Sequence, residues 1–131
     1  MTTTTPVSRY MATKLVTAHP EMSIHEAMSI LITHDVSGLP VVGDSGELVG
    51  MLSERDCLRV TFPAGPHHHP EGRVKDYMSH EVRTIDADAD IVQAIQTFLA
   101  CSFRRLPVLD DGRLVGQLSR RDAMRALPDL W

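Results

Sequence analysis

The chain predicts a mixed α/β fold of the α+β kind, built as two tandem β-α-β-β-α repeats with pseudo-two-fold symmetry. Two observations predict it. First, Tyr10 to Val60 aligns with Tyr77 to Ala126 at an offset of 67, shortening to 66 after a deletion in a turn. Of the 50 aligned pairs 18 are identical, where ordinary composition would give about three. Second, the identities fall in blocks. Leu39-Pro40-Val41 matches Leu106-Pro107-Val108, and the run from Gly46 to Asp56 matches Gly112 to Asp122, each ending in Ser-x-Arg-Asp. A polar cluster copied at matching places in two halves points to two related sites.

The elements follow in order. Residues 1–9 are polar and read as a disordered N-terminus, and the first repeat spans 10–60. Lys14 to Thr17 reads as a short extended segment. Ser23-x-x-Glu26 is a capping box opening a helix whose apolar positions Ile24, Ala27, Met28, Leu31 and Ile32 follow the helical period; it ends near His34. Val36-Ser37-Gly38 leads into an apolar strand, Leu39 to Val42, which turns through Asp44-Ser45-Gly46 into Leu48 to Leu52 as a hairpin. A second helix runs from Ser53 towards Val60. Residues 61–75, rich in proline and glycine, read as a linker with neither helix nor strand. The second repeat, 76–127, copies the order. It has an extended segment at Val82 to Ile85, a helix at Ile91 to Cys101, paired strands at Leu106 to Leu109 and Leu114 to Leu118, and a helix stopped before Pro128. Residues 128–131 form a tail carrying Trp131, a candidate for docking on the chain or on a second copy.

With 131 residues, 43% of them apolar, the chain suits one domain, and halves of this size would be marginal alone, so they are expected to share one core. The formal net charge of −4 argues against broad nucleic-acid binding, which needs a domain-wide basic excess. Six arginines, Arg104, Arg105, Arg113, Arg120, Arg121 and Arg125, nevertheless crowd the second repeat and leave a local anion site open. Cys57 and Cys101 lack metal or redox spacing and read as buried thiols in a reducing compartment. The N-terminus has neither a basic start nor an apolar run, and no segment reaches membrane-spanning length, so a cytoplasmic location with no membrane association is expected.

The two repeats, and above all Val36-Ser37-Gly38-Leu39-Pro40-Val41-Val42 and Gly50-Met51-Leu52-Ser53-Glu54-Arg55-Asp56 with their second-repeat partners, resemble the cystathionine β-synthase (CBS) domain pair, or Bateman module. The resemblance covers about residues 8–127. It implies repeats packed through their sheets, two clefts between them, flat homodimers, and regulatory binding of adenosine compounds without chemistry on the ligand.

Ser53 with Asp56, and Ser119 with Asp122, have two readings. Ser-x-x-Asp at a helix start is a capping box. The same carboxylate is also placed to accept both hydroxyls of a ribose, while the hydroxyl and the helix N-terminus favour a phosphate. The resemblance implies crossed sites. One cleft carries Ser119, Arg121 and Asp122, completed by Val16 and Thr17 at the adenine edge and by Ser37 and Gly38, with Arg104 and Arg105 near the phosphates. The second cleft carries Ser53, Arg55 and Asp56, closed by Arg83, Thr84, Phe103 and Arg104. Phe103 there either stacks on a base or fills the pocket, as a large apolar side chain leading into a strand usually joins a core, so the cleft of Asp122 is the better candidate; Phe103 and Met51 are the features that favour filled clefts. Arg120, Arg121 and Arg125 also have a plain reading as solvated partners of Asp122 or Asp129.

His67-His68-His69 lies in the linker without fixed geometry or a second shell, and reads as adventitious or no metal binding. Ser53 and Ser119 lack a nucleophile elbow and a companion histidine, so no catalytic residue is assigned and no enzyme activity is expected. Met11 and Met78, which match across the repeat, read as packing residues. The expected function is that of a regulatory, energy-sensing module. It would bind AMP, ADP or ATP ahead of S-adenosylmethionine or NAD, form a homodimer, and signal to an effector protein that the sequence does not name. The competing class is a ligand-independent dimeric interaction or scaffold protein whose clefts are filled. A third, a metal-dependent protein built on the histidine run, predicts stabilisation by zinc and none by nucleotide.

Overall fold

In a computed structural model that describes residues 5–61 and 71–131, the chain divides into two compact units that do not follow chain order. One comprises residues 16–82, the other 1–15 together with 83–131. The exchange is carried by the short segments before each repeat's first strand. Val7–Arg9 forms a 3-10 turn whose Val7 side chain is fully buried. Its backbone donates from Val7 to the Ala89 carbonyl at 2.8 Å and from Ser8 to that of Ala87 at 2.9 Å. Val74–Asp76 forms the matching 3-10 turn in the other unit, with Val74 buried and its N–H on the Met22 carbonyl at 2.9 Å. Two expectations are corrected here. Residues 5–9 of the polar N-terminus are ordered, and the described end of the linker holds a helical turn, because one valine in each segment plugs an apolar core.

In the unit of residues 16–82, Ser23 accepts a hydrogen bond from the Glu26 amide at 3.1 Å and starts helix α1, Ile24–Thr33. Ile24, Ala27 and Leu31 are buried, but Ile32 is 80% exposed, so the apolar stripe continues onto the outside of the helix. Asp35 closes α1 with a positive φ of 52°, a cap conformation that asparagine or glycine would adopt at less cost. Strand β1, Gly38–Val42, pairs antiparallel with β2, Leu48–Ser53, and α2, Glu54–Thr61, follows at once. Lys14 to Thr17 forms no strand. The chain meets β1 only at Ala18, which makes a single parallel bridge to Val41.

In the second unit β3 is Ile85–Asp86, parallel to β4, Arg105–Asp110, which pairs antiparallel with β5, Arg113–Ser119. Val82 to Thr84 lie outside β3. Helix α3, Ile91–Ala100, is capped by Asp90, and α4, Arg120–Leu130, by Ser119. Helix α4 runs through Pro128 instead of stopping before it. Proline deprives a carbonyl one turn back, that of Met124, of its donor, while the Tyr10 hydroxyl grips Asp129 in the last turn. Trp131 is 90% exposed and does not dock on the described residues of its own chain.

The buried side chains form two clusters, one per unit, and not the single shared core expected. One contains Val7, Ile91, Leu106 and Leu118, the other Val74, Ile24, Leu39 and Leu52. Each half gains through its borrowed segment the apolar surface that a half alone lacks. Cys57 is buried and Cys101 half-buried, and burial, helped by Asp56, pushes the Cys57 thiol up, keeping it protonated.

The borrowed segment of the first unit is held at the surface too. Lys75 donates to Glu21 Oε1 at 2.8 Å, and Arg73 lies 3.6 Å from Oε2. The Lys75 hydrogen bond holds the Glu21 carboxyl below its ordinary value, with the charges of Lys75, Arg73 and His19 adding. A carboxyl depressed in the folded state stabilises the fold above its unfolded pKa of 4.5 and loses that contribution as pH falls through the folded value. Lys75→Met is therefore expected to lower stability at neutral pH and to flatten the decline below pH 4.5, as read from urea unfolding across that range.

Candidate nucleotide site

Each Ser-x-x-Asp stands where a β-hairpin hands over to a helix. Ser119 Oγ accepts from the Asp122 amide at 3.0 Å, and Asp122 Oδ2 accepts from the Ser119 amide at 2.9 Å. In the other unit Ser53 and Asp56 make the same two bonds, both at 3.0 Å. The capping-box reading therefore holds in both copies. Asp56 and Asp122 are each only 8% exposed, the two buried charged residues among the described ones. Their remaining carboxylate oxygens are engaged as well. Arg59 donates to Asp56 Oδ1 at 2.8 Å and Arg125 to Asp122 Oδ1.

Arg59 and Arg125 are residues that sequence reasoning missed as parts of the site. Nothing in the motif itself marks Arg59, and Arg125 reads from sequence as a solvated partner. The signal was present: the two are identical across the repeat and stand one turn after the aspartate. Because both guanidinium groups are more than half exposed, each pair is worth under about 1 kcal/mol. Arg125→Met is accordingly expected to cost less stability in chemical unfolding than Asp122→Ala. An equal loss would mean that the ion pair, and not the capping box, holds the carboxylate.

Strand register decides what lies beside each box. Gly38 pairs with Ser53 and Arg105 with Ser119. The Glu54 amide donates to the Ser37 carbonyl at 2.9 Å and the Arg120 amide to the Arg104 carbonyl at 3.0 Å. Each helix N-terminus is thus flanked by the two residues preceding Leu-Pro of its own repeat. At α2 these are small, Ser37 and Gly38; at α4 they are Arg104 and Arg105. Both arginines are exposed and neither forms an ion pair among the described residues. Arg120 Nε donates to the Phe103 carbonyl at 3.1 Å, which fastens the turn carrying Arg104 to the start of α4. Arg120 is thus more than the solvated charge its sequence position suggests.

The remaining candidates are placed unit by unit. Ser119, Arg121, Asp122, Arg104 and Arg105 share one unit with Arg83, Thr84 and Phe103. Val16, Thr17, Ser37 and Gly38 share the other with Ser53, Arg55 and Asp56. Arg55 and Arg121 point to solvent from the first turns of α2 and α4. Val16 packs against the edge of its unit's core, and Thr17 follows it just before the bridge at Ala18. Arg83 and Thr84 precede β3. Phe103 is 46% exposed, so it is not part of its unit's core. Met51 is half-buried, its backbone paired with Ser79. Among the described residues no three His, Cys, Asp or Glu side chains cluster to hold a metal. His67 to His69 lie outside the described residues. Among the described residues no helix is long and apolar enough to cross a membrane.

The glycine that opens each motif has a packing role. A Cβ on Gly116 would lie 2.4 Å from Met11 Sδ and 2.9 Å from the Ala12 carbonyl; one on Gly50 would lie 2.7 Å from the Ser79 carbonyl. The borrowed segments cross these glycines, with the Ala12 amide on the Gln117 carbonyl at 2.9 Å and the Met51 amide on that of Ser79 at 3.0 Å.

The family model of the CBS domain matches twice, over residues 7–62 and 74–129. The chain belongs to the CBS-domain family. As a CBS pair it is similar to an uncharacterised protein, MJ1225, of Methanocaldococcus jannaschii, 29% identical over 96% of this chain but only 44% of that one; the chain thus spans less than half of that relative's length. Among solved structures, CBSX2 of Arabidopsis thaliana in complex with AMP superposes with a TM-score of 0.81 at 30% identity, covering 95% of this chain and 97% of that one. The CBS domain pair of protein MJ0100, in complex with 5′-methylthioadenosine and S-adenosyl-L-methionine, superposes with a TM-score of 0.77 at 26% identity, covering 98% and 100%.

Proposed function

We propose that this CBS pair is a regulatory module that binds an adenine nucleotide, AMP, ADP or ATP, and signals by a change of conformation or association. The observation that carries the reading is the surroundings of Asp122: a buried carboxylate at the N-terminus of α4, beside Ser119 and two exposed arginines that form no ion pair among the described residues. A ribose diol suits the carboxylate, whose oxygens keep lone pairs beyond the two bonds they accept. Phosphates suit the helix N-terminus and the forks of Arg104 and Arg105. Arg121 is exposed beside them. The reading also enlists Val16, Thr17, Ser37 and Gly38 for the base, on the family resemblance alone. It treats Ser53, Arg55 and Asp56, with Arg83, Thr84 and Phe103, as a second, weaker site, because the residues flanking α2 are uncharged. The AMP bound by CBSX2 and the adenosine compounds bound by MJ0100 support an adenosine ligand. Self-association as a homodimer and an effector protein complete the reading.

A specific observation favours a second reading. Both oxygens of Asp122 already serve the helix start and Arg125, as they would in a ligand-independent scaffold. Thermal unfolding against AMP, ADP, ATP, NAD and S-adenosylmethionine decides between the two. A bound ligand at 100 times its dissociation constant adds about 2.7 kcal/mol. The sensor reading expects a clear rise with one adenine nucleotide; no rise with any compound, in protein stripped of carried-over nucleotide, leaves the scaffold.

A further inference from the structure

At the start of α4 the two oxygens of Asp122 have unequal tasks. Oδ2 accepts from the Ser119 amide at 2.9 Å and so holds the first turn of the helix. Oδ1 accepts from Arg125 and takes no part in that turn. A ligand can therefore claim Oδ1 and leave the helix start intact. The Asp122 side chain is 11% exposed, while the arginine bonded to it is 62% exposed, so Arg125 stands on the solvent side of Oδ1, the side from which a ligand comes. Each oxygen keeps a lone pair, but a ribose diol needs both oxygens at once, and the guanidinium lies across one of them.

The arrangement is built twice. Arg59 donates to Asp56 Oδ1 at 2.8 Å, and the two arginines match across the repeat, each three residues after its aspartate. An exposed pair of this kind is held weakly, favouring the closed form by a factor of only about two to five. A factor of about two leaves the carboxylate open in about a third of the molecules, and a ligand that needs the open form binds about threefold more weakly for it.

We propose that Arg125 is an autoinhibitory latch on the nucleotide site: it covers Oδ1 of Asp122 in the empty protein, and a ribose diol binds by displacing it. Arg125 is then a positioning residue, acting through Asp122 and not on the ligand. This rests on the nucleotide reading and adds how that site is regulated. It gives an occupied carboxylate a place in a site that binds, and its signature is opposite in sign to that of an arginine holding the ligand: removing it favours the diol.

Isothermal titration calorimetry of wild type, Arg125→Met and Arg125→Lys with AMP and ATP, each beside its 2′,3′-dideoxy form, tests the latch. The readout is the diol preference, the dissociation constant of the dideoxy compound divided by that of its parent. Both compounds carry the same phosphates, so the loss of a nearby positive charge cancels in the ratio. Arg125→Met is expected to raise the preference about threefold. Arg125→Lys, which keeps a cation within reach of Oδ1, is expected to return it to the wild-type value. An unchanged preference in Arg125→Met overturns the latch, and so does a lowered one, which would mark an arginine that holds the ribose itself. In both cases nucleotide binding by the wild type still stands. If none of the three proteins binds AMP or ATP, the nucleotide reading and the latch fall together.

Discussion

Gly116→Val is expected to lower the free energy of unfolding by about 3 kcal/mol. The added Cβ would lie 2.9 Å from the Ala12 carbonyl, backbone that cannot turn away as a side chain can, and 2.4 Å from Met11 Sδ. Overpacking of this kind costs roughly 1–3 kcal/mol. If the strain is relieved by lifting the segment off β5, Val7 loses its burial at roughly 1.5–3 kcal/mol instead. Urea unfolding measures the loss. Met11→Ala in the same chain is expected to recover only part of it, because the carbonyl stays. Gly112→Asn is the control. Gly112 sits at φ +79° with nothing within 4 Å of its would-be Cβ, a conformation asparagine tolerates, so the change there should be small. A Gly116→Val loss no greater than the control's would mean that the segment over β5 contributes little to the unit.

Asp122→Ala is expected to act in two separable ways. Without ligand it removes the acceptor of the Ser119 amide and of Arg125, at a cost of about 1–2 kcal/mol. With the nucleotide that stabilises the wild type, it is expected to abolish that added stabilisation, about 2.7 kcal/mol at 100 times the dissociation constant. Asp56→Ala should show the first effect at a similar size while leaving most of the second. Thermal unfolding of the three proteins with and without nucleotide separates the terms. If Asp122→Ala keeps the full ligand-induced rise, its carboxylate is a helix cap only and the nucleotide, if bound, lies elsewhere.

The difference between the two aspartates could be read from sequence because it depends on near neighbours. The residues before Leu-Pro and the Ser-x-x-Asp of one repeat are joined by a hairpin, and hairpin register follows from the turn. Ser37-Gly38 against Arg104-Arg105 is legible in this way as a difference of charge beside the two boxes, although the family resemblance sets each box against the residues before Leu-Pro of the other repeat. Arg59 and Arg125 were legible by the same means, one turn along a helix from their aspartates, had their identity been weighed with the motif. Phe103 was not. Whether a phenylalanine ahead of a strand enters the core depends on what other elements have already filled it, and here Phe98, Leu106 and Val7 fill it.

The sequence by itself determined the repeat, the capped starts of α1, α2 and α4, both hairpins and the paired Ser-x-x-Asp, all of which rest on contacts between residues a few positions apart. Only the tertiary structure decided that Val7 and Val74 complete the core of the other repeat's elements, that Lys14 to Thr17 stays out of the sheet, that α4 continues through Pro128, and that Ile32 and Leu58 face outward. Those outcomes turn on which distant segment buries the most apolar surface against a half-filled core. A residue's own neighbours in the chain carry no record of that competition.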